Sequence, residues 1–210
     1  MTTASTSSLD FAGLTIAFDD RVLVPRPWTV AQSRWARDRL PHVPVGTVLE
    51  LCSGVGHIGL AAVAGTGRPL LMVDRDEHAA DLSRRNAAQV GEECEVRCAA
   101  LETALGPQER FPMMLADPPW VPTAEVVRFP DDPVPAIDGG ADGLGPARAC
   151  LRAGASHLAT GGEMILQVGT VAQAGRLETT ARELGLSFVE VREESGGTLV
   201  RLGRAREVVE

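Results

Sequence analysis

Short apolar runs alternate with amphipathic stretches through most of the chain. The segments TVLEL (47–51), PLLMVD (69–74), CEVRC (94–98) and FPMMLAD (111–117) are too short for helices and rich in aliphatic residues, so they predict strands. Helical patterns follow Gly56 and run from about Glu77 to Gln89. This strand-helix-strand order calls for a parallel sheet covered by helices on both faces, an α/β fold. The second half continues with a helix over about 146–158, a strand in EMILQV (163–168) and a helix over about 172–184. Two last strands, SFVEVRE (187–193) and TLVRLGR (198–204), meet at Gly196-Gly197, a strong hairpin turn, so the sheet ends in an antiparallel pair.

Ahead of this core, residues 1–13 read as a flexible tail without the basic and apolar regions of a targeting leader. The run LTIAFDDRVLV (14–24) shows two β-rich pieces around Asp19-Asp20 and predicts a hairpin, followed by the rigid Pro25-Arg26-Pro27. Thr29 can cap a helix to about Leu40, stopped by Pro41 and Pro44. The expected organisation is a single domain over 14–210, with 14–45 a small hairpin-and-helix lid and 46–210 the core. One loop, Pro118 to Gly143, is long for a compact domain and rich in Pro, Gly and Asp, which marks it for function.

With 210 residues, 44% hydrophobic and 23% charged, the chain can bury one sizeable core. Its net charge of −8 argues against gripping phosphates, so nucleic acid is an unlikely partner. No run approaches a membrane span of about 18 apolar residues. Cys52, Cys94, Cys98 and Cys150 show neither disulfide-framework nor zinc spacing, so a reducing cytoplasm is expected and no metal is assigned. Cys94 and Cys98, at i and i+4 of a strand, are expected to be small buried groups on one face. His42, His78 and His157 have no partner pattern.

The strand at 47–51 runs into Cys52-Ser53-Gly54-Val55-Gly56-His57-Ile58-Gly59 and then a helix. Gly54, Gly56 and Gly59 form G-x-G-x-x-G in its proper context, where missing Cβ atoms let a ligand approach the backbone at a helix N-terminus. Asp74 closes the next strand twenty residues after Gly54, placed to accept both hydroxyls of an adenosine ribose, with Arg75 beside it. A dinucleotide and S-adenosylmethionine both fit. Glu50 would repel a pyrophosphate and attract an ammonium or sulfonium; alternatively it ties down the loop through backbone N–H groups. His57 either contacts the cofactor or simply starts the helix.

The strand at 111–117 ends in Asp117-Pro118-Pro119-Trp120, at the sheet edge where open α/β folds place ligands. Two prolines hold the neighbouring carbonyls rigid and free to accept from an amino group, Asp117 accepts a second N–H, and Trp120 offers a flat stacking face. Such a pocket holds a nitrogen aimed at a methyl sulfonium.

In these motifs the sequence resembles the class I S-adenosylmethionine-dependent methyltransferases, in the branch with (Asp/Asn)-Pro-Pro-aromatic, and within it the HemK/PrmC-type protein-glutamine methyltransferases. The resemblance rests on VLVPRPWT (22–29), on Glu50 to Gly56, and on Asp117 to Trp120 followed by Gly139-Gly140-Ala141-Asp142-Gly143-Leu144. It implies a Rossmann-like methyltransferase fold with a seven-stranded, mostly parallel sheet. It also implies S-adenosylmethionine as cofactor and S-adenosylhomocysteine as product, held by Glu50, Cys52, Ser53, Gly54, Gly56, His57, Asp74 and Arg75. Asp117, Pro118, Pro119 and Trp120 would then be catalytic, with Arg26, Trp28, Trp120 and Asp142 toward the substrate, an amino or amide nitrogen of a small molecule or protein side chain.

The chain departs from the pattern in three places. Cys52 stands where the family usually has glycine, Trp28 where Pro-Arg-Pro is usually followed by Glu, and Asp117 where Asn would match a glutamine amide. An ionised Asp only accepts, which points away from a primary amide toward an amine, amidine or ring amino group. No helical docking domain is expected ahead of the core. The 125–142 segment, with five acidic residues against Arg128, would either attract a cationic substrate or simply face water, and Asp142 is equally suited to a cap or turn. Methylation of a ribosomal RNA base and a nicotinamide-dependent oxidoreductase are the alternative readings. Oligomeric state is not legible.

Overall fold

The structure, a computed structural model, describes residues 6–204. It opens with a hairpin, β1 (Ser7–Phe11) paired antiparallel with β2 (Leu14–Phe18), turning at Ala12-Gly13 with both φ angles positive. The expected flexible tail is therefore corrected: residues 7–13 are ordered as one arm and the turn of this hairpin, and only its first five residues lie outside the described part. The turn does not fall at Asp19-Asp20. Buried Phe11 and Ile16 anchor the hairpin, whereas Asp19 is drawn inward, with His78 Nε2 at 2.9 and 2.8 Å from its two carboxylate oxygens.

After the one-turn helix Pro27–Thr29 come α1 (Val30–Arg39), β3 (Val48–Leu51), α2 (His57–Val63), β4 (Leu70–Asp74), α3 (Glu77–Val90), β5 (Cys94–Cys98) and β6 (Phe111–Ala116). Then follow α4 (Val134–Ile137), α5 (Gly145–His157), β7 (Leu158–Val168), α6 (Val171–Glu183), β8 (Leu186–Glu194) and β9 (Gly197–Arg204). The seven strands lie in the order β5-β4-β3-β6-β7-β9-β8, with only β9 antiparallel to its neighbours. The expected sheet and its C-terminal hairpin are present. The tight turn falls at Ser195-Gly196, one residue earlier than the paired glycines suggest, because Glu194 pairs with Gly197.

The central strands are apolar throughout because each serves two cores. Val48, Leu70, Met72, Met113 and Leu115 pack toward α1, α2 and the N-terminal hairpin, while Leu49, Leu51, Leu71, Val73, Met114 and Ala116 pack toward α5 and α6. By this alternation Glu50 shares the face of Val48 and Leu115. At the edge the sheet is thinner: Cys94 is half-buried and Cys98 exposed, so the expected pair of buried cysteines is not formed. No described helix is long and apolar enough to cross a membrane.

Asn86 of α3 fastens the hairpin and the glycine loop together. Its Oδ1 accepts from Ala17 N–H at 2.8 Å, and its Nδ2 donates to the carbonyls of Ala17 (3.0 Å) and Val55 (2.9 Å). Asn86→Ala would strand these backbone groups in a buried place. We expect it to lower unfolding stability by about 2–4 kcal/mol, measured by urea denaturation.

Candidate active site

The carboxyl ends of β3, β4, β5 and β6 open into a cavity of about 770 Å³. Its floor is Cys52–Val55 with His57 and Ile58, Val73–Asp76, the segment 99–102 after β5, and Asp117 with Pro119. Two further walls come from Arg21–Arg26 on the N-terminal side and from Pro133–Ala136 with the start of α5 on the other. The volume suits a small-molecule cofactor and an acceptor group.

The three motif glycines have different physical reasons. Gly54 has φ +53°, and a Cβ there would meet nothing within 4 Å, so its missing side chain leaves room on the cavity side. A Cβ on Gly56 would strike Met72 Sδ and one on Gly59 would strike Glu50 Oε2, so these two glycines serve packing within the protein. Gly56 does not line the cavity. Cys52 holds a left-handed φ of +55°, the conformation that makes glycine the ordinary residue there. Its thiol is held in protonated form by the neighbouring Cys150 thiol and by burial.

Asp74 stands at the end of β4, facing the cavity. One carboxylate oxygen accepts from Gly54 N–H at 2.7 Å and the other from Asp76 N–H at 2.9 Å. Burial raises its pKa, against the pull of those donors. The carboxylate thereby joins the glycine loop to the strand end, and its remaining lone pairs face a ligand. Arg75 lines the cavity and donates to Pro135 O at 3.2 Å.

Glu50 lies behind the loop, 2% exposed, and does not line the cavity. The one backbone donor close to its carboxyl is the Gly59 N–H, which neither oxygen meets in full hydrogen-bond geometry, so the tie-down to the start of α2 is a weak one. Burial pushes its pKa to about 8, offset only in part by that N–H and reinforced by Asp117 and Asp74. A buried acid so poorly satisfied beside the glycine loop fits a ligand that brings a positive charge or N–H donors close to that loop.

Asp117 follows β6 on the same sheet face as Glu50 and lines the cavity with no hydrogen-bond partner among the described residues. Burial alone carries its pKa to about 7. Its position is fixed from below by Gln32 of α1, whose Nε2 donates to Ala116 O and Ile165 O, both at 3.0 Å. His57 begins α2 and also lines the cavity. Burial lowers its pKa to about 3, so the ring is neutral, with Nε2 3.3 Å from Thr29 Oγ1 and Phe11 edge-on at 4.8 Å.

Several expected contacts fall elsewhere. Pro118, Trp120, Trp28 and Asp142 are not among the cavity walls. Trp120 packs on Gly169, where a Cβ would collide with its ring, and Gln173 Nε2 donates to its carbonyl at 2.8 Å. Trp28 rests against Gly196 in the β8-β9 turn. Asp142 takes the cap-and-turn alternative: it accepts from Leu144 N–H (3.1 Å) and pairs with Arg148 (2.7 Å). Arg26 does line the cavity, and it is engaged by Asp132. The acidic field expected over 125–142 is largely quenched, since Glu125, Asp132 and Asp142 each hold an arginine and Asp138 accepts from Thr123 Oγ1. Sequence reasoning missed Gln32, Gln173 and Asp132, polar residues that no motif marks.

The two orphaned acids make a pH signature. Their folded pKa values, about 7 and about 8, lie above the ordinary 3.8 and 4.5. Their contribution to stability is therefore complete below the ordinary values and lost as pH rises through the folded ones. The melting temperature of the ligand-free protein should fall as pH rises from about 4 to about 8, with Asp117→Asn and Glu50→Gln each flattening the fall. A calorimetric profile flat over that range would refute the assignment.

A family model described as methyltransferase small domain matches residues 33–128. The release factor glutamine methyltransferase of Deinococcus radiodurans is 31% identical over 78% of this chain and 60% of its own length. The ribosomal protein uL3 glutamine methyltransferase of Bordetella pertussis is 31% identical over 72% of this chain and 53% of its own. The chain thus spans somewhat over half the length of these relatives. A methyltransferase structure from Pyrococcus furiosus superimposes with a TM-score of 0.69 at 16% identity, covering 92% of this chain and 90% of that one, a likeness of fold. The sheet order, the glycine loop and these matches together support a class I S-adenosylmethionine-dependent methyltransferase, HemK/PrmC-like.

Proposed function

We propose that this protein is an N-methyltransferase that uses S-adenosylmethionine and acts on a protein side-chain nitrogen, with the glutamine amide as first candidate. The observation that carries the reading is Asp117: an unpartnered carboxyl at the cavity wall, its backbone stiffened by two prolines, facing the same space as Asp74 and Gly54. The names of the relatives support the choice of acceptor. Residues 46–204 would form the catalytic core and the N-terminal hairpin, loop and α1 its lid.

The raised pKa of Asp117 changes how its departure from Asn reads. Near neutral pH a large share of this group is protonated. A neutral carboxylic acid carries one O–H donor and acceptor lone pairs, so it can donate to an amide oxygen and accept from the amide N–H, as Asn does. A primary amide therefore suits the pocket. When bound, S-adenosylmethionine supplies a methyl group on a sulfonium, an electrophile for a neutral nitrogen. The protein's part is alignment: Asp74 and the Gly54 loop take the cofactor's ribose side, and Glu50, largely protonated in the empty site, would ionise as positive charge arrives beside the loop. Asp117 orients the nitrogen at the cavity wall, while Gln32 keeps the strand end still. Such orientation can supply up to about 7–11 kcal/mol of a barrier.

Incubation of the protein with methyl-labelled S-adenosylmethionine and extract of its own cells, followed by complete enzymatic digestion, should yield label in methylglutamine from a protein fraction, and acid hydrolysis of the same fraction should release it as methylamine. Label confined to small molecules would overturn the protein acceptor. Asp117→Ala should lower turnover by about 100-fold or more with S-adenosylhomocysteine affinity nearly unchanged. Asp74→Ala should weaken that affinity by about 1.5–3 kcal/mol in calorimetry. For an amide acceptor, turnover should decline as pH rises through about 7, and Asp117→Asn should remove the decline. An amine acceptor would give the opposite slope, because ionised Asp117 would then take the proton.

A further inference from the structure

The segment between Pro118 and Leu144, expected as an open loop, is a folded unit. It contains a short helix over Thr123–Arg128 and α4, and Val121, Val126 and Ile137 form a small core of their own, with Leu23 and Trp120 packed against it. Its two ends are stitched together by Val121 N–H to Ile137 O (3.0 Å), Gly139 N–H to Val121 O (2.8 Å) and Thr123 N–H to Gly140 O (3.0 Å). The return leg is Gly139-Gly140-Ala141-Asp142-Gly143, with φ of +86° at Gly140 and +73° at Gly143. A Cβ on Gly139 would lie 2.7 Å from Gly143 backbone. Asp142 pins the end of this leg to α5 through Arg148 and, by its carbonyl, to Arg176 of α6.

The far edge of the unit is held in another way. There, beside the Leu23 contact, side chains alone bridge the cavity. Both Asp132 oxygens sit 2.6 Å from Arg26 Nη2, and Arg75 reaches Pro135 O. Arg26 belongs to the N-terminal wall and Arg75 to the floor at the end of β4, and Pro133, Pro135 and Ala136, beside the strap's contacts to both, are themselves cavity lining. The Arg26–Asp132 pair is about a quarter exposed, so it is within reach of salt.

We infer that residues 121–140 form a rigid strap across the cavity, hinged at the glycines of 139–143, and that Asp132 is a positioning residue whose grip on Arg26 sets how long the cofactor is held. The inference rests on the proposed cofactor site. It absorbs two motifs left without a role above, the Gly-Gly-Ala-Asp-Gly run and the Arg of Pro-Arg-Pro: the first is the hinge and the second the catch. The stiff Pro133 and Pro135 keep the strap from folding inward when the catch opens.

Two measurements test it. In the ligand-free protein, spin labels at Val127→Cys and Val45→Cys in a Cys98→Ser background should report one distance, with a second, longer one appearing in Asp132→Asn. With bound tritiated S-adenosylhomocysteine chased by unlabelled compound, Asp132→Asn should release label about five- to tenfold faster at low salt. Wild-type release should quicken with salt while the variant's does not, and the reversed pair Arg26→Asp with Asp132→Arg should restore slow release. If Asp132→Asn melts early, Asp132→Glu, which keeps the charge, should retain the slow rate. Wild-type binding with unchanged distance and release in Asp132→Asn would overturn the strap. Failure of the wild type to bind the compound, with the second distance still present, would overturn the cofactor assignment and leave the strap standing.

Discussion

Two poorly satisfied carboxyl groups, Glu50 sealed behind the glycine loop and Asp117 half-buried at the cavity wall, are the constraint around which this site is built. They sit on one face of adjacent parallel strands, where Glu50 pairs with Leu115 two residues before Asp117. Burial raises both, and for Glu50 the nearby Asp117 and Asp74 add to it. A fold tolerates such a pair only if the surrounding scaffold is stiff enough to prevent collapse or hydration. Here the stiffness is visible: two apolar cores clamp β3 and β6, Gln32 ties the end of β6 to β7, and Pro118-Pro119 fix the chain beyond it. Polar residues that carry no chemistry themselves hold the reactive end of the sheet in place.

The same logic explains why glycine recurs in the loop after β3. The Gly56 and Gly59 positions are filled by Met72 and by Glu50, so these residues bring α2 down onto the sheet until Glu50 is sealed. Only Gly54 leaves free space on the ligand side, and Asp74 holds its N–H. The loop is thus set before a ligand arrives, and the left-handed Cys52 is tolerated because half-buried packing against the α5 core fixes it. A non-glycine residue in this conformation stores about 1–2 kcal/mol, which the packing of β3 and α5 must offset.

The parallel sheet was legible because its strands are apolar on both faces, a pattern that little else produces. The antiparallel β8-β9 pair was legible from its glycines. The N-terminal hairpin was not: SSLDFAG is polar and small, and what orders it is Asn86, sixty-nine residues away from Ala17. The cavity floor was legible from Gly54, Asp74 and Asp117, whose spacing is dictated by where strands end. That Glu50 lies behind the loop and not at the cavity wall was not legible, because the motif gives its strand but not how closely α2 covers it; Gly59 lets that helix approach until the carboxyl is sealed. Trp120 was misread for a related reason: an aromatic beside a rigid turn suggests a stacking face, but Gly169 leaves a slot that the ring fills.

Substitution of Asp for Asn at position 117 illustrates why residue identity alone does not determine chemistry. In water the two differ by a full charge, and the acid would be acceptor-only. In this pocket, burial moves the acid's midpoint to about 7, so the site holds comparable amounts of a donor-acceptor and an acceptor-only form near neutrality. Arrival of positive charge beside Glu50 and Asp117 would shift that balance toward the ionised form, while an amide oxygen seeking a donor would shift it back. The protonation state at the moment of reaction is therefore fixed jointly by cofactor and acceptor, not by the protein alone.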